Sequence, residues 1–179
     1  RISVGAPKSG TELNARAVLA AAGIAYKDFA RVEYLPYGES VELLKNRQID
    51  VTLQSAGLGN PALRDLATGV DVVFVPVPPE TIARIGDKAY LTGKIPANTY
   101  RGQGTDVATA SVVNFLVTHE GVSESVAYRM TKAMFENLDQ LVAAHAAAKA
   151  IKLENAVAAM PIPLHPGARK YYREVGLIK

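Results

Sequence analysis

The sequence predicts an α/β protein with a largely parallel sheet flanked by helices. Two observations carry the prediction. Through the first half, short β-branched runs alternate with segments whose apolar residues recur at every third and fourth position. The 179 residues are also 49% hydrophobic yet only 7% aromatic, without Trp, so the core must be built from Val, Leu, Ile and Ala.

Taken in order, residues 2–5, 29–35, 50–54 and 71–77 read as strands. Between them, 11–22, 39–48 and 60–68 read as helices, and another follows the proline-punctuated stretch 76–79 over 79–88. Residues 90–103 contain Pro96, Gly93 and Gly102 without helical period, which marks an extended crossing or hinge. An apolar, β-branched run at 106–117 precedes helices at 123–136, 138–150 and 153–160. After the proline-rich break at 160–167, a last helix runs to Val175. The boundaries drawn from this pattern are an α/β lobe at 1–88, a hinge at 89–104, and a returning strand with C-terminal helices at 105–179. Apolar stripes on the later helices (Val126, Met130, Met134; Leu138, Leu141, Val142) need cover, from within this half or from a lobe whose first part lies upstream of Arg1. The chain opens in a strand without methionine or signal peptide, so removal of an upstream segment is expected.

Composition excludes several functions. There are no cysteines, hence no disulfides, thiolate catalysis or Cys-ligated zinc. The net charge of +3 is spread along the chain, with no basic run dense enough for nucleic acid. No apolar stretch has the length of a bilayer span, so no membrane insertion is expected. His119, His145 and His165 lack metal-ligand spacing, and no G-x-S-x-G elbow is present. No convergent set of titratable groups can be assembled, so neither a catalytic residue nor a cofactor is expected.

Gly5-Ala6-Pro7-Lys8-Ser9-Gly10-Thr11-Glu12 lies between a strand and a helix and invites comparison with a phosphate-binding loop. The glycine spacing fits, but Thr11-Glu12 stands where Lys-Ser/Thr is required, which rules out nucleotide hydrolysis by that motif. What remains is Ser9 as an N-cap with Glu12 completing a capping box. The free N–H groups of that turn suit a carboxylate, with Gly10 allowing close approach, and a merely well-capped helix after a tight turn fits equally. Tyr37 and Ser40 stand at the second strand-to-helix junction, where parallel sheets place ligands. Glu39 beside them suits a helix start or a ligand ammonium. Gln54, Ser55, Ala56 and Gly57 follow the third strand, as crevice lining or as a polar turn. Tyr100, in the hinge, is a cleft-crossing phenol or a packed one.

Several strings together resemble the TAXI family of solute receptors for TRAP transporters. They are Ser9-Gly10-Thr11-Glu12-Leu13-Asn14-Ala15-Arg16, Tyr37-Gly38-Glu39-Ser40, Asp50-Val51 with Ala56-Gly57, and Ile95-Pro96-Ala97-Asn98-Thr99-Tyr100. Val126-Ala127-Tyr128-Arg129-Met130-Thr131-Lys132 and Pro161-Ile162-Pro163-Leu164-His165-Pro166-Gly167-Ala168 continue the match in order. The resemblance implies a type II periplasmic-binding-protein fold, with one complete parallel-sheet lobe and the returning segment of the other. It implies a periplasmic receptor that captures a small organic acid, an amino-acid carboxylate or dicarboxylate such as glutamate or a 2-oxoacid, by lobe closure. It also implies delivery to TRAP permease membrane subunits. A sensor domain of the same fold would share the cleft and differ in being fused to an output module.

Overall fold

In the computed structural model, which describes residues 1–158 and 160–179, strand β1 (Ile2–Ser3) runs between β2 (Val32–Glu33) and β3 (Val51–Thr52), parallel to both. Ile2 stands opposite Val32 on one side and Val51 on the other, and Ser3 opposite Glu33 and Thr52. Strand side chains alternate, so Ile2 and Val4 face one way and Ser3 the other. Helix α1 (Gly10–Ala21) covers the first face: Ile2, Val4 and Ala15 form the buried core, with Leu19, Tyr26, Phe29, Val32 and Leu53 packed around them. Helix α2 (Tyr37–Lys45) covers the second, where Ser40 Oγ lies 2.7 Å from Ser3 Oγ. Covering both faces is the arrangement parallel sheets adopt.

The strand order β2-β1-β3 has a consequence for function. From β1 the chain passes through α1 to one side, then through α2 to the far side of β1. Such a reversal opens a crevice at the carboxyl ends of the strands, the usual ligand position in this architecture.

Helix α3 (Pro61–Gly69) starts from Asn60, whose side chain accepts from the N–H groups of Ala62 and Leu63, with Pro61 as the first helical residue. Helix α4 (Pro79–Ile85) lies on α1, and Arg84 Nε donates to the Ala21 carbonyl at 2.8 Å. Residues 71–77 do not form the expected strand. Val73 and Val75 are 89% and 73% exposed, and the one backbone bond outside helices and strands that this stretch donates runs from Val77 to Ala108. Pro76 and the following Pro78-Pro79 remove donors that a ladder would need.

Residues 90–103 are likewise more regular than their sequence suggests. Strand β4 (Tyr90–Ile95) pairs antiparallel with β5 (Val107–Val112), from Tyr90 opposite Val112 to Ile95 opposite Val107. The connecting loop closes on the buried Gln103 side chain, which donates to the carbonyls of Ile95, Pro96 and Thr105 at 3.2, 3.0 and 2.7 Å. The hairpin belongs to the first of two compact units, Arg1–Val112, and the second is Val113–Lys179.

In the second unit, α5 (Glu124–Glu136) packs on α7 (Pro166–Glu174) through Tyr128, Phe135, Tyr171 and Tyr172. Helix α6 (Leu138–Ala144) stops short of the expected 150, because His145 turns extended and caps a 3-10 turn at Ala146–Ala150 with its Nδ1. The helix expected at 153–160 is a single 3-10 turn at Leu153–Asn155, and residue 159 of that span lies outside the described residues. No helix among the described residues is long and apolar enough to cross a membrane.

Candidate ligand-binding site

The loop after β1 is shaped by Gly5. Its φ of +95° is open to glycine, and a Cβ there would meet Thr11 Cβ at 2.7 Å. Without that side chain, the first turn of α1 folds close over the strand end. Ser9 caps the helix, its Oγ accepting from Glu12 N–H at 3.2 Å. Glu12 does not reach back to complete a box. Its buried carboxylate instead accepts from Arg16 Nε at 2.5 Å and from the Tyr26 hydroxyl at 3.2 Å. The N–H groups of Gly10 and Thr11 have no acceptor among the described residues, as helix geometry requires of an opening turn.

Three strand-end segments are tied together by two directed chains of hydrogen bonds. The Tyr37 hydroxyl donates its single proton to the Ser55 carbonyl at 2.5 Å, so the 2.7 Å contact between Thr11 Oγ1 and Tyr37 has Thr11 as the donor. From the other side, the Tyr90 hydroxyl donates to Asn14 Oδ1 at 2.8 Å, and Asn14 Nδ2 donates to Ser55 Oγ at 2.8 Å. Burial, with Asp87 nearby, pushes the Tyr90 phenol up from its ordinary value, which keeps that donor protonated. Both chains end on Ser55. Its Oγ accepts from Asn14 and retains its own proton for donation.

The predicted residues therefore separate. Ser9, Gly10, Thr11 and Tyr37 come together with Ser55 at the ends of β1, β2 and β3, and Ala56 and Gly57 form the exposed loop that follows. Thr11 offers lone pairs to this network's surroundings and no proton. Ser40 faces inward: it is 1% exposed, and its hydroxyl joins Ser3 to the Pro36 carbonyl. The Gln54 carboxamide is buried, with neither polar atom meeting a partner among the described residues, and Thr52 Oγ1 shares that condition. Tyr100 is 5% exposed, stacked on Phe74 at 4.9 Å, and its oxygen accepts from Gly59 N–H at 3.1 Å. It holds the loop that carries Ser55 to Asn60. Asn14 and Tyr90 are the members that sequence reading missed. Asn14 sits one helical turn into α1, on the Gly10 face, a periodicity signal that was available. Tyr90 carries no local signal. Among the described residues no group of His, Asp and Glu is placed to hold a metal ion.

A parallel α/β lobe with its crevice at the strand ends is a periplasmic-binding-protein-like lobe, the frame of the solute-binding receptors. The chain belongs to the NMT1-like family, a periplasmic solute-binding family whose model matches residues 1–176. Its partner class is accordingly a small-molecule solute.

Proposed function

We propose that this protein is a TAXI-type receptor that captures a small organic acid in the periplasm and passes it to a TRAP permease, by binding alone, without making or breaking a bond. The observation that carries this is the set of free donors around one crevice. The Gly10 and Thr11 N–H groups and the Ser9 and Ser55 hydroxyl protons all lack acceptors among the described residues, while the Glu12 carboxylate in the same turn is held by Arg16 and Tyr26. Donors without acceptors, at the positive end of a helix, suit a carboxylate. The hydrogen-bonded frame of Thr11, Tyr37, Asn14 and Tyr90 fixes Ser55 before a ligand arrives, which lowers the ordering cost of binding.

The test is a thermal-shift series with glutamate, glutamine, 2-oxoglutarate, succinate and acetate on the full-length protein. A ligand specific to the native state at a hundredfold excess over its Kd adds about 2.7 kcal/mol, or roughly 5–10 °C for a chain of this size. A carboxylate shift that Ser55→Ala reduces is the expected result. Unmoved melting curves with every acid would refute the organic-acid reading.

A further inference from the structure

We propose that the second unit carries an anion site of its own, and that the cavity between the start of α5 and the flank of α7 takes a phosphate monoester, free or on a lipid headgroup. The site lies within Val113–Lys179 and makes no use of the crevice, which belongs to the first unit, so it goes beyond the receptor reading. The cavity measures about 340 Å³ and is lined by Glu124, Pro166, Arg169, Lys170 and Arg173. A concavity of that size suits a small molecule. Three cations against one carboxylate leave two positive charges unbalanced. A phosphate monoester near pH 7 carries nearly the matching negative charge.

The neighbouring acids are engaged elsewhere. Glu174 accepts from the Tyr128 hydroxyl at 2.5 Å and from Lys132 Nζ at 3.4 Å. Glu124 stands in the first turn of α5, where a carboxylate favours the helix start, and meets Lys170 Nζ only loosely, at 3.6 Å. The Arg169 side chain has no partner among the described residues. Arg173 engages only its Nε, which donates to the Lys179 carbonyl at 3.1 Å, so its two terminal nitrogens stay available. Arg169 and Arg173 are one helical turn apart, so their guanidinium groups share a face and repel. A bound dianion turns that repulsion into attraction. Guanidinium forks match tetrahedral oxyanions, and the three cationic side chains correspond to the three free oxygens of a monoester. The helix that bears them is seated before an anion arrives. Lys170 Nζ rests 5.6 Å from the centre of the Tyr128 ring, the Gly167 backbone lies against the Glu124 carbonyl and the Tyr128 nitrogen, and His165 Nε2 lies 3.0 Å from the Val122 carbonyl. Binding then has only side chains left to order.

Titration calorimetry of the full chain with inorganic phosphate and glycerol phosphate tests the site. Cosedimentation with vesicles containing phosphatidic acid, set against phosphatidylcholine alone, tells a headgroup from a soluble ester. Arg169→Gln and Arg173→Gln are each expected to weaken phosphate binding about tenfold, the loss of one charge-assisted contact. Lys152→Gln, which removes the same charge from an exposed position outside the cavity, is expected to bind as the wild type does. Near-ultraviolet dichroism of the tyrosine cluster should be the same in all four proteins, which separates a lost contact from a lost fold. Phosphate binding without vesicle binding assigns a soluble ester, and vesicle binding that phosphate displaces assigns a headgroup; either supports the site. Weakening by Lys152→Gln equal to that by the arginine variants would mark diffuse surface charge and overturn it. A wild type that binds neither phosphate nor vesicles also overturns it, and binding of poly-glutamate alone would give the surface to an acidic protein partner instead.

Discussion

At the scale of single residues, the crevice is governed by how many protons each hydroxyl has to give. Thr11 donates to Tyr37 and Tyr37 to the Ser55 carbonyl, so neither proton is left for a ligand. Their work is positional. Tyr37→Phe keeps the ring and removes the relay. It should leave both the Thr11 hydroxyl and the Ser55 carbonyl short of a partner, at a cost of about 1–2 kcal/mol in urea unfolding. Affinity for the acid should fall with it, because Ser55 loses the anchor on its carbonyl and keeps only the Asn14 bond to its hydroxyl. A stability loss with ligand affinity intact would show that Ser55 stands outside the binding surface. Tyr100 makes the related point that a phenol placed near a cleft by sequence can act one step removed, through the Gly59 N–H.

At the scale of elements, α5 and α7 approach each other closely at Gly167. A Cβ on Gly167 would fall on the Glu124 carbonyl oxygen, the Tyr128 nitrogen and the Ala127 Cβ, with backbone atoms that cannot swing aside. Gly167→Ala should therefore force the helices apart and cost about 1–3 kcal/mol, seen as an early loss of tyrosine near-ultraviolet dichroism from the Tyr128, Tyr171 and Tyr172 cluster. A wild-type melting curve would refute the tight contact. This element also shows what local sequence can reveal. Ser9 before α1, Asn60-Pro61 before α3 and Ser123 before α5 are caps written next to the helices they start, and their starts are legible within two residues. His165 caps α7 in the same manner, Nδ1 accepting from Gly167 N–H, but its ring is fixed by the Val122 carbonyl 43 positions earlier, a partner that the local pattern of the proline-rich break does not reveal. The site divides along the same line. The helix start at Ser9 and Gly10 is local and was readable. The inward turn of Ser40 depends on Ser3, the capture of Tyr100 on Gly59, and the recruitment of Tyr90 on Asn14, partners 37, 41 and 76 positions apart. The strand expected at 71–77 failed for a related reason: alternating valines establish that a segment can be extended, and only a neighbouring edge makes it a strand.

At the scale of the whole chain, carboxylates in both units are held below their ordinary range. Asp106 is lowered first by the Lys94 ammonium and then by the Ala97 N–H, and Glu174 first by the Tyr128 hydroxyl and then by Lys132. In each, the folded value lies beneath the unfolded one. Their stabilisation is therefore present above the unfolded pKa, near 4, and is lost as pH falls through the folded value. Tyr26 bounds the other side. Burial first and the Glu12 charge second push its phenol up to about 12. A group raised in the folded state stabilises below its unfolded pKa, near 10, and loses that contribution as pH climbs toward the folded value. The melting temperature should then be level from about pH 5 to about pH 9 and fall on both sides. Substitution identifies the groups responsible. Glu174→Gln should flatten part of the acid limb and leave the alkaline limb alone, and Tyr26→Phe should do the reverse. Salt near 1 M should shrink the Glu174 contribution, because its ammonium partner is exposed to solvent, while the Tyr26 effect, which arises first from burial, should persist. A scan in which Glu174→Gln shifts the alkaline limb, or in which salt abolishes both limbs alike, would contradict this assignment of causes.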